Sequence, residues 1–273
     1  MHIGSFDLAS DIFFIAGPCL VEGEEMIHTV AEHLAGIAAR HGVALILKGS
    51  FKKANRTSGD SFTTIGERTA LELLAAAGAA NGLPTVTDIH TEADAELAAD
   101  YVDVLQIPAF LCRQTELIQA AARTGRAVTI KKGQFVAPED MRHAVAKAQA
   151  AGNSRVMLCE RGTTFGYHNL VVDMRSLVIM REAGVPIVYD ATHSVQLPSV
   201  AGVSSGQPQF ILPLARAAVA TGVDGVFFET HPDPAQALSD AATQLPLERA
   251  EEFIAACAGL HRWLREHSEG SRH

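Results

Sequence analysis

Eight short apolar runs, the amphipathic alanine-rich stretches between them, and glycines set just before several runs predict an α/β fold, a single (β/α)8 TIM barrel behind a short N-terminal cap. The runs fall at 13–16, 44–47, 85–89, 104–107, 127–130, 155–159, 186–189 and 225–228. Helical periodicity fills 24–40, 67–80, 93–99, 115–123, 138–150, 174–182 and 210–221, and a last helix over 247–266 closes the pattern. His41-Gly42, Asn81-Gly82, Ala183-Gly184 and Thr221-Gly222 each end such a stretch, where a left-handed glycine would turn the chain back toward the barrel. A doubly wound open sheet competes, but no Gly-x-Gly-x-x-Gly loop follows the first run to support it. Residues 2–10 form the cap, and with no linker or composition break, 1–273 reads as one domain.

A length of 273 residues and a hydrophobic content of 48% are enough for one large barrel. No stretch approaches the roughly 20 apolar residues of a membrane span, and no basic-then-apolar leader opens the chain, so a soluble cytoplasmic protein is expected. Cys19, Cys112, Cys159 and Cys257 show no framework spacing, which fits a reducing compartment. A net charge of −9 argues against nucleic-acid binding and leaves small anions open, since those respond to local charge.

In chain order, the first run stops at Gly17-Pro18 and delivers Cys19 at its end. In a closed barrel the eighth strand lies beside the first. Cys19 would therefore share a rim with His193, which follows the seventh run, and with Glu229, which ends the eighth; Asp240 is close enough in sequence to fold back over them. Thiol, imidazole and carboxylates make a mixed donor set suited to one divalent ion of the iron, manganese, cobalt or zinc type. Singly, each has a structural alternative: a packed thiol, a hydrogen-bonded core histidine, a salt-bridged strand end, a helix cap.

Cations gather at other strand ends of this acidic chain. The second run continues into Lys48, Lys52, Lys53 and Arg56, the fifth into Lys131 and Lys132, and the sixth into Arg161. A lysine that directly continues an apolar strand is costly without an anion, so Lys48 points to a phosphate or carboxylate ligand. Lys52 and Lys132 read as the solvated members of their pairs, and strand alternation lets only one of Lys131 and Lys132 face the interior. Cys112, Cys159 and Cys257 read as packing residues, while His90 and His231 lie near enough to the rim for a supporting role.

Long blocks of the sequence resemble one enzyme family. They are Ala16-Gly17-Pro18-Cys19, Lys48-Gly49-Ser50-Phe51, Lys53-Ala54-Asn55-Arg56, the segment from Gln106 to Thr115, Lys131-Lys132-Gly133-Gln134-Phe135, the segment from Cys159 to Tyr167, Asp190-Ala191-Thr192-His193 and Glu229-Thr230-His231-Pro232. The chain is similar across these blocks to the 3-deoxy-D-manno-octulosonate 8-phosphate synthases, also called 2-dehydro-3-deoxyphosphooctonate aldolases. The resemblance implies a barrel, usually a homotetramer, that condenses phosphoenolpyruvate with D-arabinose 5-phosphate and water in lipopolysaccharide biosynthesis. It implies that Lys48, Lys53, Lys131 and Arg161 bind the phosphoenolpyruvate anion with Gln106 and Gln134 nearby. It sets Asn55, Arg56 and Thr57 against the sugar phosphate and its hydroxyls, has Phe110 help shape the pocket, counts Ser50 and His193 among the substrate-binding residues, and puts Asp88 near the reacting aldehyde. Cys19, Lys48, Asp88 and His193 would act in catalysis. Cysteine at position 19 resembles the metal-dependent class, with Cys19, His193, Glu229 and Asp240 as ligands.

Three departures fall away from the phosphoenolpyruvate side. An Arg-Gly pair common after the Lys-Ala-Asn-Arg block is absent from Ser61-Phe62-Thr63-Thr64-Ile65-Gly66, Lys52 replaces an aspartate, and Ser205-Gly206-Gln207-Pro208-Gln209 lacks an arginine. The nearest rival is a related synthase acting on erythrose 4-phosphate; a rival of another class is a non-catalytic barrel that only binds phosphoenolpyruvate.

Overall fold

The computed structural model describes residues 1–4, 6–9, 11–54, 62–200 and 203–268, with side chains described except at 198–200, 203, 204 and 268. Eight parallel strands close on themselves: β1 Phe13–Gly17, β2 Ala44–Lys48, β3 Thr85–Asp88, β4 Val104–Ile107, β5 Ala127–Lys131, β6 Val156–Glu160, β7 Ile187–Asp190 and β8 Gly225–His231. Each pairs with its sequence neighbour, and β8 also pairs with β1 in the register Glu229↔Gly17, which closes the barrel. Around it run α1 Glu24–His41, α2 Glu67–Asn81, α3 Glu92–Ala99, α4 Thr115–Arg123, α5 Met141–Ala150, α6 Arg175–Arg181, α7 Ile211–Thr221 and α8 Ala250–Ser268. The chain is thus a (β/α)8 barrel of one domain. Among the described residues no helix is long and apolar enough to cross a membrane.

Two apolar layers follow from strand alternation. Phe13, Ile15, Ile46, Val86, Val104, Ala127, Met157, Cys159, Val188 and Phe227 fill the barrel interior, joined from below by Ile3 and Leu8 of the N-terminal hairpin. Their neighbours Phe14, Leu45, Leu105, Ile130, Leu158, Tyr189 and Phe228 point out and pack under the helices. The four glycines expected as helix ends all take positive φ, from 62° at Gly42 to 98° at Gly222.

Gly17 has a different duty. A Cβ built there would lie 1.9 Å from the carbonyl oxygen of Lys48. Only glycine lets the end of β1 lie this close to β2, and that closeness sets Cys19 beside Lys48.

Element ends differ from expectation in a consistent way. β6 and β7 each start one residue later and run one further, so Glu160 and Asp190 are strand residues, and β8 extends through Glu229 to His231. The helices expected from 138, 210 and 247 begin as short 3-10 turns before α5, α7 and α8. Two hairpins absent from the periodic pattern, Thr163–Thr164 with Leu170–Val171 and Gln196–Val200 with Val203–Gly206, rise from the loops after β6 and β7. They escape notice because two of their strands have only two residues and the other two, Gln196–Val200 and Val203–Gly206, are broken by polar residues and a proline, so none forms an apolar run.

Candidate active site

Alternation carried one step past the apolar interior sets a polar layer at the C-terminal ends of the strands. Lys48 follows Ile46 by two residues, and Asp88, Gln106, Lys131, Asp190 and Glu229 stand in the same relation to interior or inward residues of β3, β4, β5, β7 and β8. All six are buried. Buried charges in such numbers persist only if paired, and here they are.

Lys48 Nζ donates to Glu229 Oε1 at 2.6 Å and to the carbonyl oxygens of Cys19 at 2.8 Å and Pro18 at 3.3 Å. Lys131 Nζ donates to Asp190 Oδ2 at 2.5 Å and sits 3.6 Å from the centroid of the Phe227 ring. Asp190 also accepts the backbone N–H groups of Thr192 and His193 at 3.1 and 2.8 Å and lies 2.9 Å from His193 Nδ1. Asp88 accepts from Ser50 Oγ at 2.5 Å and from Gln106 Nε2, with Lys53 Nζ 3.7 Å away.

These pairings set the charges. Burial would raise the carboxyl of Asp88, but Lys48, Lys53 and Lys131 pull it well below the ordinary range. Asp190 is lowered in the same way by His193 and Lys131 against burial, and Glu229 falls to about 2 because Lys48 and His193 outweigh its burial. Burial opposes the charge of Lys131 too, yet Asp190 carries it above its usual value. Lys53 is likewise raised, burial notwithstanding, by surrounding acidic groups that include Asp88 and Glu229. For Arg161, burial is the leading cause and lowers the guanidinium.

Next to Lys48, the loop after β1 meets the loop after β8. Cys19 Sγ lies 3.3 Å from Asp240 Oδ2 and 3.2 Å from Ser239 Oγ, and the Cys19 N–H donates to Gln244 Oε1 at 3.2 Å. Gln244 in turn donates to the Ser239 carbonyl at 2.8 Å, so one amide side chain clasps both loops. Asp240 takes a left-handed φ of 47°, a conformation aspartate tolerates and one that turns its carboxylate toward the thiol. Burial, then Glu229 and Asp240, push the Cys19 thiol far up.

Donor atoms of Cys19, Glu229 and Asp240 lie within 4.8 Å of one another. His193 stands at the margin of this group, its Nε2 3.7 Å from Glu229 Oε1 and its Nδ1 taken by Asp190. Glu229 Oε2 is buried with no hydrogen-bond partner among the described residues. An orphaned carboxylate oxygen beside a thiol and a second carboxylate fits a divalent cation, which would replace the proton on sulfur.

The remaining sequence expectations fall as follows. Asn55, Arg56 and Thr57, and Ser61 of the altered loop, lie outside the described residues. Gln134 and Arg161 are buried beside the polar layer; Gln134 Oε1 and Arg161 Nε have no partner among the described residues, while an Arg161 terminal nitrogen donates to the His193 carbonyl and Gln196 Oε1. Phe110, on the 3-10 turn after β4, is 57% exposed and stands outside the buried layer. Lys52 is held by Asp94 at 2.7 Å and Glu67 at 3.0 Å. The reading of Lys132 as solvated is corrected: it is fully buried against Glu160, because it faces outward under the helices and not into water. Asp190, Ser239 and Gln244 were not foreseen. Asp190 carried a signal, three residues ahead of His193 at a strand end, whereas the other two are legible only once the last loop is folded back.

Known proteins resemble this chain over most of its length. The DAHP synthetase I family model matches residues 9–265. The chain belongs to that family. A 2-dehydro-3-deoxyphosphooctonate aldolase of Syntrophotalea carbinolica is 53% identical over 244 residues, 89% of this chain and 88% of the relative. One from Acidithiobacillus ferrooxidans is 54% identical over 248 residues, 90% and 88% of the two chains. A third, from Laribacter hongkongensis, is 51% identical over 274 residues and covers 97% of both. In this member of the family, Cys19, Lys48, Lys131, His193 and Glu229 stand at or just past the C-terminal ends of barrel strands, on one rim.

Proposed function

We propose that this enzyme condenses phosphoenolpyruvate with D-arabinose 5-phosphate and water, giving 3-deoxy-D-manno-octulosonate 8-phosphate and inorganic phosphate for lipopolysaccharide synthesis. The observation that carries this is the set of buried cations Lys48, Lys131 and Arg161 at or just past the strand ends of an acidic protein, with part-buried Lys53 on the loop after β2. Such a cluster is suited to a small, highly charged anion. The relatives' name supplies the carbon count: an octonate product needs five aldose carbons beside the three of phosphoenolpyruvate, which favours a pentose phosphate over erythrose 4-phosphate.

Catalysis would be positional and electrostatic. Lys48, Lys53, Lys131 and Arg161 neutralise the phosphoenolpyruvate carboxylate and phosphate, and so allow a second anionic substrate to approach. Asp88, held by Ser50 and Gln106, would orient the aldehyde or its hydroxyls. As the carbon–carbon bond forms, positive character at the enol carbon is met by water, and phosphate leaves by carbon–oxygen cleavage. Cys19, Glu229 and Asp240, with His193 turning in, would hold one divalent ion of the iron, manganese, cobalt or zinc type. Such an ion supplies Lewis acidity toward an aldehyde or water.

The enzyme would act in the cytoplasm as a homotetramer. Phe110, Phe135, Phe165 and Tyr167, all more than half exposed on the loops after β4, β5 and β6, offer apolar area consistent with an assembly.

Phosphate release from phosphoenolpyruvate, measured across phosphorylated aldoses with and without chelator, tests the reaction. Turnover with another aldose and none with arabinose 5-phosphate would overturn the substrate; tight binding with no release would favour a non-catalytic barrel. For the metal, Cys19→Ala is assayed for metal content and turnover together, and full activity without bound metal would refute the ligand set. Light scattering reads the oligomer.

A further inference from the structure

A buried ion pair lies on the outer side of the barrel wall, away from the polar layer. Lys132 Nζ stands 3.6 Å from Glu160 Oε1, and the two side chains are 0% and 1% exposed. Lys132 Nζ also donates to the carbonyl oxygens of Gly133 and Val136, at 3.2 and 3.4 Å, and to Thr163 Oγ1 at 3.0 Å. Glu160 accepts the Gly162 N–H at 2.6 Å on one oxygen and Ser176 Oγ of α6 at 2.8 Å on the other. A buried pair of this kind is often replaceable by apolar side chains without loss of stability, so stability alone does not account for its charges.

All its partners but Ser176 belong to the two turns that carry Gln134 and Arg161. Lys132 grips the carbonyls on either side of Gln134, and Glu160 grips the N–H immediately after Arg161. Backbone bonds from Thr164 N–H to the Gln134 carbonyl at 3.0 Å and from Lys132 N–H to the Cys159 carbonyl at 2.8 Å join the same two loops. Gln134 Oε1 and Arg161 Nε are among the buried polar atoms left without partners in the described residues. The network thus holds rigidly, from behind, two side chains whose inner atoms await a ligand.

We propose that Lys132 and Glu160 are positioning residues for phosphoenolpyruvate: their ion pair fixes the turns after β5 and β6 so that Gln134 and Arg161 meet the anion together. This rests on the phosphoenolpyruvate reading above. A positioning role predicts a higher KM for phosphoenolpyruvate, with kcat and the arabinose 5-phosphate KM held. A merely structural role lowers the melting temperature and the active fraction and leaves KM alone.

The test uses Thr163→Val, Thr163→Ser, Glu160→Gln and Lys132→Met in the full chain. Thr163 is exposed, so its variants fold whatever becomes of the buried ones. Thr163→Val is expected to raise the phosphoenolpyruvate KM about threefold, and Glu160→Gln about tenfold, the range one hydrogen bond or one charge-assisted bond spans. Thr163→Ser keeps the hydroxyl and should restore the wild-type KM. An unchanged KM in Thr163→Val refutes the proposal even if the lysine variant fails to fold. Wild-type protein that releases no phosphate from phosphoenolpyruvate would instead refute the parent reading.

Discussion

Replacing Lys48 with methionine isolates the energetics of the polar layer. Lys48 is wholly buried, and its ammonium is the nearest cation to Glu229, which is also wholly buried. Methionine keeps the length and much of the volume, so packing changes little, while Glu229 Oε1 loses its partner at 2.6 Å and Oε2 already has none among the described residues. Breaking a buried pair by removing one member costs about 3–5 kcal/mol, because the survivor is left uncompensated. For a chain of this length about 2 °C of melting temperature accompanies each kcal/mol, so the metal-free variant should melt roughly 6–10 °C below wild type. Glu229→Gln in the same background removes the stranded charge and should recover at least half of that loss. Calorimetry of wild type, both single variants and the double variant in chelator closes the cycle. The reasoning fails if Lys48→Met melts within about 2 °C of wild type, or if the two losses simply add.

Three other expectations follow. Gly17→Ala drives a methyl into the Lys48 carbonyl and should cost about 3 kcal/mol as the end of β1 is forced from β2; urea unfolding reads it, and a loss below about 1 kcal/mol would contradict the close approach. Asp94, bonded to Lys52 and to the His90 and Thr91 N–H groups, has its carboxyl held below the ordinary 3.8; burial opposes the shift and the Lys52 bond outweighs it. Its stabilisation is therefore complete above about pH 3.8 and disappears as pH falls through the folded value, so the melting gap between wild type and Asp94→Asn should hold steady from about pH 7 to 5 and close in acid; a gap unchanged at about pH 2 would count against it. Lys131→Ala should abolish saturable phosphoenolpyruvate binding by calorimetry while leaving far-UV circular dichroism intact, and unaltered affinity would remove Lys131 from the anion site.

Much of this was legible in the sequence for a simple reason. Strand order and helix alternation are local patterns, and barrel closure then follows from topology, so the meeting of Cys19 with Glu229 could be deduced from position alone. Parity along a strand was legible too, since only one of Lys131 and Lys132 faces in. What parity does not reveal is the medium on the other side. Lys132 faces outward, and outward here means beneath the 163–171 hairpin and α6, elements whose docking is a tertiary event. Ser239 and Gln244 were hidden likewise, because the loop that presents them has no periodicity and Asp240 reaches Cys19 only through a left-handed turn.

The thiol and its carboxylate partner are separated by 221 residues. At ribosomal speeds of about 5–20 residues per second, Cys19 is made roughly 10–40 s before Asp240 exists. Throughout that interval the nascent chain carries a solitary sulfhydryl with no companion from the far end of the polypeptide. A chain that stopped between Asp190 and Asp240 would hold seven or eight of the barrel strands and lack the carboxylate that meets the thiol, so this contact between the first and last loops is necessarily among the last to form.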